Sequence, residues 1–158
     1  MSEPVKPIPD GYHTVTPYIT VHDGQAALDF YQRAFGATVL LAMPDKDGKI
    51  AHAELRIGDS LIMLSDEFPV WKAVSPKTLG GRSSSLMLYV PDVDATVAQA
   101  VEAGATLIRP VADQFYGDRS GAVDDPFGHN WHISTHVEDV PEDEMQRRMQ
   151  EWEASQGG

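Results

Sequence analysis

A chain of 158 residues with no cysteine is long enough to bury a real core, and it excludes disulfides, thiolate metal sites and a cysteine nucleophile. Its formal net charge of −12 opposes phosphate backbones and anionic lipid, so neither nucleic acid nor membrane is expected as a partner. No apolar run is long enough to span a bilayer and the N-terminus lacks the basic and apolar regions of a signal peptide, which makes the cytoplasm the expected compartment.

Prolines 4, 7 and 9, followed by Asp10-Gly11, predict an extended, non-helical lead-in over 1–12. Residues 13–21 then alternate, with Val15, Pro17, Ile19 and Val21 on one face and Thr14, Thr16, Tyr18 and Thr20 on the other, which predicts a strand. Asp23 is placed to cap a helix in which Ala27, Leu28, Tyr31, Ala34 and Phe35 recur at helical spacing, and Gly36 is placed to end it. Phe30, Tyr31 and Phe35 belong to the core on this reading. Three strands follow, 38–43, 49–57 and 60–65, joined by Asp45-Lys46-Asp47-Gly48 and by Gly58-Asp59. The segment 66–82, rich in Pro, Ser and Gly and carrying Phe68 and Trp71, is expected to be a crossover linker or a flap.

The second half repeats the first. Leu88-Tyr89-Val90-Pro91-Asp92 opens a helix as Ile19-Thr20-Val21-His22-Asp23 does, and Ala103-Gly104-Ala105-Thr106 closes it as Phe35-Gly36-Ala37-Thr38 does. Strands at 106–111, 117–123 and 130–135 complete the unit, the last two joined by Asp124-Asp125-Pro126-Phe127-Gly128-His129. The expected fold class is therefore α+β: two tandem βαβββ modules, 13–65 and 83–136, forming a curved mixed sheet around a cleft with the helices outside. Residues 137–158 form an acidic segment and then an amphipathic helix from near Pro141, with a stripe of Met145, Met149 and Trp152. That helix packs either on its own domain or across a second subunit.

The paired modules, the two helices ending in Gly-Ala-Thr and the run Asp125-Pro126-Phe127-Gly128-His129-Asn130-Trp131-His132-Ile133-Ser134-Thr135 resemble the vicinal oxygen chelate superfamily. That superfamily includes glyoxalase I, extradiol dioxygenases and bleomycin-resistance proteins. Within it the chain most resembles the glyoxalase/bleomycin-resistance group, in its PhnB-like branch, over about 13–136. The resemblance implies one metal ligand on each of four strands, and the corresponding positions here are Thr16, Met63, Ser85 and His132. Only His132 is a competent ligand, so no metal is expected at the family position and no cofactor is expected. The resemblance also implies a homodimer.

Other residues read as site candidates in their own right. His52 and Glu54 share one face of their strand, and they are a polar surface pair, a proton-transfer pair, or with His132 a metal site. Arg119 either anchors an anionic group of a ligand or bridges to Asp124 or Asp125. Asp125 is a turn residue satisfying backbone N–H groups, and His129 and Trp131 lie behind the wall that His132 faces. Tyr18, Met63, Met87, Tyr89 and Tyr116 supply an aromatic and thioether lining, with Tyr116 and Trp71 near its mouth.

Three functions remain open on the sequence. One is a metal-independent protein that binds a small molecule in a neutral polar cleft. Another is a glyoxalase-like lyase or isomerase in which His52 or Glu54 moves a proton. The third is a structural or regulatory dimer without catalysis.

Overall fold

A computed structural model describes residues 4–157; the first three residues of the expected lead-in, and Gly158, lie outside the described residues. The chain divides into two compact units, one ending at Arg82 and one beginning at Ser83.

The first unit contains β1 (Tyr18–Thr20), α1 (Gly24–Phe35), β2 (Thr38–Pro44), β3 (Ile50–Ile57) and β4 (Ser60–Ser65). Its sheet has the order β1-β4-β3-β2, with β1 parallel to β4 and the other pairs antiparallel. Asp23 caps α1 by accepting from the Ala26 N–H at 3.0 Å, and Gly36 ends it in a left-handed conformation, each as its residue type dictates. Ala27, Leu28, Phe30, Tyr31 and Ala34 of α1 are buried, as are Ile19, Ala53, Leu55, Ile62 and Leu64 of one sheet face. Burying a side chain such as Leu55 is worth about 1.5–3 kcal/mol, so this layer carries the stability of the unit. The start of α1 lies hard against the sheet. A Cβ on Gly24 would stand 2.6 Å from Asp66 Oδ2 and 2.7 Å from Ile50 Cβ, and Asp66, itself buried, accepts from the Gly24 and Ile50 N–H groups.

The second unit repeats the plan with β5 (Ser85–Tyr89), α3 (Val93–Ala103), β6 (Thr106–Asp113), β7 (Asp118–Asp124) and β8 (Asn130–His136), in the order β5-β8-β7-β6. Asp92 caps α3 through the Ala95 N–H, and Thr135 Oγ1 accepts from the Val93 N–H at 2.9 Å. The repeat extends to register. Tyr18 pairs with Met63 as Met87 pairs with His132, and Leu41 faces Glu54 as Arg109 faces Ala122. Irregularities next to Leu41 and next to Arg109 interrupt β2 and β6 at matching places, and such bulges re-aim the side chains beside them.

The strands thus form two four-stranded mixed sheets, in the α+β class that two tandem βαβββ modules require. The first strand is shorter than the alternation over 13–21 predicts. Pro17 has no N–H to give the ladder, Thr16 Oγ1 donates to the His13 carbonyl, and Val15 is exposed; only Ile19 and Val21 are buried from the expected apolar face. The lead-in turns at Pro9, whose carbonyl accepts from the Tyr12 N–H, and passes Gly11 near Leu61.

The segment 66–82 is partly ordered, with a single 3-10 turn at Pro69–Trp71 and a short α2 (Pro76–Leu79) capped by Ser75. Glu67 accepts from the Ser75 N–H at 2.7 Å, and hydrogen bonds from Ser75 and Thr78 hold its carboxyl down at about 2. The C-terminal α4 (Glu142–Gln156) begins directly after Pro141. It docks on its own unit: Arg148 binds Glu138 and the Phe115 carbonyl, and Trp152 lies 5.9 Å from the Phe115 ring.

Candidate functional site

Each sheet turns one face to its helix and presents chemistry on the other. In the first unit the residues opposite α1 include Tyr18 on β1, Met63 on β4, and His52 and Glu54 on β3. Tyr18 Oη lies 2.8 Å from His52 Nδ1, and His52 Nε2 lies 3.2 Å from Glu54 Oε1. Glu54 is held below the usual carboxylate range, first by the Tyr12 hydroxyl facing it and then by His52. Tyr12 Oη is enclosed and meets Glu54 outside ordinary hydrogen-bond geometry; burial first, and then Glu54, push it up to about 12.

These facts fix the hydrogen between His52 and Glu54. An ionised Glu54 only accepts, so His52 Nε2 donates to it, while Nδ1 is engaged with the Tyr18 hydroxyl. Both imidazole nitrogens are then in use. Glu54, with its pKa lowered, is a fixed acceptor that orients His52 and is poorly suited to carry protons near neutral pH. The polar group the face offers outward is Tyr18, which is 51% exposed, with Leu41 and Met43 exposed on the same face.

In the second unit the face opposite α3 carries, row by row across β5, β8, β7 and β6, Met87, His132, Ala122 and Arg109, and then Tyr89, Ser134, Ser120 and Ala112. His132 stands between Met87 and Ala122, and the Ser134 hydroxyl donates to Met87 Sδ at 3.6 Å. The Tyr89 hydroxyl donates to Asp118 Oδ2 at 3.0 Å, and this carboxylate raises the Tyr89 pKa. Asp118 Oδ1 lies 2.8 Å from His136 Nδ1, and His136 Nε2 lies 2.8 Å from Asp139. Tyr116 Oη approaches Ser120 Oγ at 3.4 Å, and Arg109 Nη2 donates to that oxygen at 3.0 Å.

One expected site residue stands elsewhere. Arg119 is on the α3 side of β7, where Asp94 and Asp113 take its guanidinium, so it shares no face with His132 and bridges neither Asp124 nor Asp125. The reason is parity: Asp124 pairs with Asn130, which sends even-numbered residues of β7 and β8 to one face and odd-numbered ones to the other. Trp71 lies in the 3-10 turn, packed on Phe68 and 74% exposed. Asp125 does accept from the Phe127 and His129 N–H groups, and its second oxygen takes the Trp131 Nε1–H at 2.9 Å behind the sheet.

Sequence reasoning missed Tyr12 and Arg109. Tyr12 ended a segment read as lead-in. Arg109 carried a signal, being the one basic residue of its strand, within the apolar run Leu107-Ile108 and just before Pro110, but its direction depends on the bulges in β6.

Residues 12–133 match the model of the Glyoxalase/Bleomycin resistance protein/Dioxygenase superfamily. The chain belongs to that superfamily. An uncharacterized protein of Mycobacterium bovis, Mb0911c, is 43% identical over 138 residues, covering 85% of this chain and 91% of that protein. Among solved structures, TioX from Micromonospora sp. ML1 matches with a TM-score of 0.64 and 28% identity, over 79% of this chain and 99% of that one. A PhnB protein from Bacillus cereus matches with a TM-score of 0.60 and 14% identity, over 78% and 99% of the two chains, and shares the fold.

The four positions that the resemblance assigns to a superfamily metal do not suit a divalent ion here. Thr16 lies before β1, with its hydroxyl spent on the His13 carbonyl, and Met63 offers a thioether. Ser85 pairs with Asn130, leaving Met87 as the neighbour of His132. Among the described residues no group of three or more His, Asp or Glu side chains is arranged to hold a metal.

Proposed function

We propose that the chain is a PhnB-like, metal-independent protein that binds a small organic molecule in a neutral polar cleft, without a cofactor, as a cytoplasmic homodimer. The observation that carries the binding reading is the Tyr18–His52–Glu54 chain. With both nitrogens of His52 engaged and Glu54 fixed as an acceptor, the array positions the Tyr18 hydroxyl toward a ligand and leaves no free base for a lyase step. The donor set at the family positions supports independence from metal. Exposed Leu40, Leu41 and Met43 on the edge strand β2 support association of copies, since an uncovered apolar edge is a liability.

Native mass spectrometry of purified protein, with metal analysis and a calorimetric screen of small aromatic and amphipathic molecules, tests this. The expected result is a bound organic ligand whose affinity survives exhaustive chelation and falls about tenfold in Tyr18→Phe, the loss of one useful hydrogen bond. Binding lost on chelation and restored by a divalent ion would overturn it. Sedimentation at micromolar concentration tests the dimer.

A further inference from the structure

We infer that Arg109, seated on Ser120 beside Tyr116, is an anion-recognition point that takes the carboxylate of a ligand lying across the second sheet. This rests on the small-molecule binding reading above and names the ligand class. The second unit contains four arginines and no lysine among many carboxylates. Arg119 pairs with Asp94 and Asp113, Arg147 with Glu144 and Glu151, and Arg148 with Glu138 and Glu144. Arg109 alone meets no carboxylate among the described residues, and its one hydrogen bond goes to a neutral hydroxyl.

In so acidic a unit a half-buried guanidinium would ordinarily draw a partner, because leaving it unpaired gives up the favourable half of its desolvation balance. Its Nε–H is enclosed without an acceptor, and Nη1 likewise has no acceptor among the described residues. On the same face of β7 stand two carboxylates: Asp124, whose Oδ1 accepts from Asn130, and Asp118, whose oxygens are committed one to Tyr89 and one to His136. The local wiring therefore keeps Asp118 away from Arg109 and leaves the guanidinium for something from outside.

The row in which Arg109 stands suggests the rest of the ligand. Arg109, Ala122, His132 and Met87 follow one another on adjacent strands, so Arg109 and His132 are two strand spacings apart, about 10 Å. Ala122, small and itself buried, stands between these taller ends. One guanidinium with no second strong cation on the face suits a singly charged, planar carboxylate rather than a phosphate dianion. His132 and the half-exposed Met87 would meet the apolar or weakly polar body of such a molecule.

The enclosed Nε–H exchanges slowly enough with water to be followed by nitrogen-15 NMR, with its resonance assigned by its absence in Arg109→Lys. Benzoate, benzamide and sodium chloride at matched ionic strength are titrated into the full-length protein. Benzoate is expected to shift the signal saturably, while benzamide and chloride do not. Calorimetry should show benzoate affinity reduced about tenfold or more in Arg109→Gln, the loss of a charge-assisted pair, and unchanged in Arg119→Lys. Equal shifts with benzoate and chloride, or undiminished benzoate binding in Arg109→Gln, would overturn the inference. Either result would leave the binding reading standing, because that reading is decided by Tyr18-dependent binding on the first sheet. A metal-dependent ligand would instead remove that reading and leave the Arg109 titration to be judged on its own result.

Discussion

The Arg119 guanidinium meets Asp94 side-on, with Nε 2.7 Å from Oδ2 and Nη2 2.9 Å from Oδ1, and so ties β7 to the first turn of α3. The pair is a fastener between sheet and helix. Both partners are partly exposed, so salt screens it and its loss is tolerated. Arg119→Gln is expected to lower Tm slightly, more at low ionic strength than at high, and to leave ligand binding unchanged. A loss of binding with Tm intact would return Arg119 to the site.

Asp66 is the deeper tie in the first unit, a buried carboxylate holding two backbone N–H groups from different elements. Asp66→Ala leaves both donors unsatisfied, which should cost about 2–6 kcal/mol in urea unfolding, at about 1–3 kcal/mol for each stranded group. Gly24→Ala drives a methyl into Asp66 and Ile50 and should cost about 1–3 kcal/mol. Unfolding midpoints equal to wild type in either variant would contradict the close approach.

His136 gives the fold a pH dependence of definite sign. Its pKa is raised, first by Asp139 and then by Asp118, so the folded state favours the imidazolium. The resulting stabilisation is complete below the unfolded value of about 6.5 and fades as pH rises through the higher folded value. The Tm advantage of wild type over His136→Gln should therefore shrink on going from mildly acidic to mildly alkaline buffer. A difference that grows with pH over that window would reverse the assignment.

Arg148 pins the C-terminal helix at two places, Glu138 and the Phe115 carbonyl. In Arg148→Ala, hydrogen exchange should speed up across Glu142–Gln156 while β8 keeps its protection, because the helix buries little else. The chain here is also stopped locally by Gly117, where positive φ coincides with a Cβ position only 2.2 Å from the Glu138 carbonyl oxygen. Gly117→Ala should loosen the same helix by moving Glu138.

The sequence was most readable where structure is set by a few neighbouring residues. Asp23 and Asp92 as caps, Gly36 and Gly104 as stops, and Asp125 as a turn carboxylate follow from local hydrogen bonding and backbone sterics. Facing was harder. Counting from the Asp124–Asn130 pair would have sent Arg119 to the α3 side, but that pairing has to be known first. Arg109 reaches the other face through bulges that period-two counting does not register, and Tyr12 reaches Glu54 because a proline-rich segment folds back in place of extending. Partners for charged side chains are long-range facts: nothing near Arg119 in sequence names Asp94, twenty-five residues away, as its acceptor.

The shared register of the two sheets makes each half a template for the other. Leu41 occupies the place that Arg109 holds, Glu54 that of Ala122, Met63 that of His132 and Tyr18 that of Met87, while caps and core keep to the opposite side of each sheet. A duplicated frame of this kind separates what folds the chain from what it recognises, so one copy can drift toward a new ligand while the other keeps the old. It is also a route for grafting. Leu41→Arg together with Glu54→Ala would rewrite the first face in the chemistry of the second while changing no residue on which either helix rests.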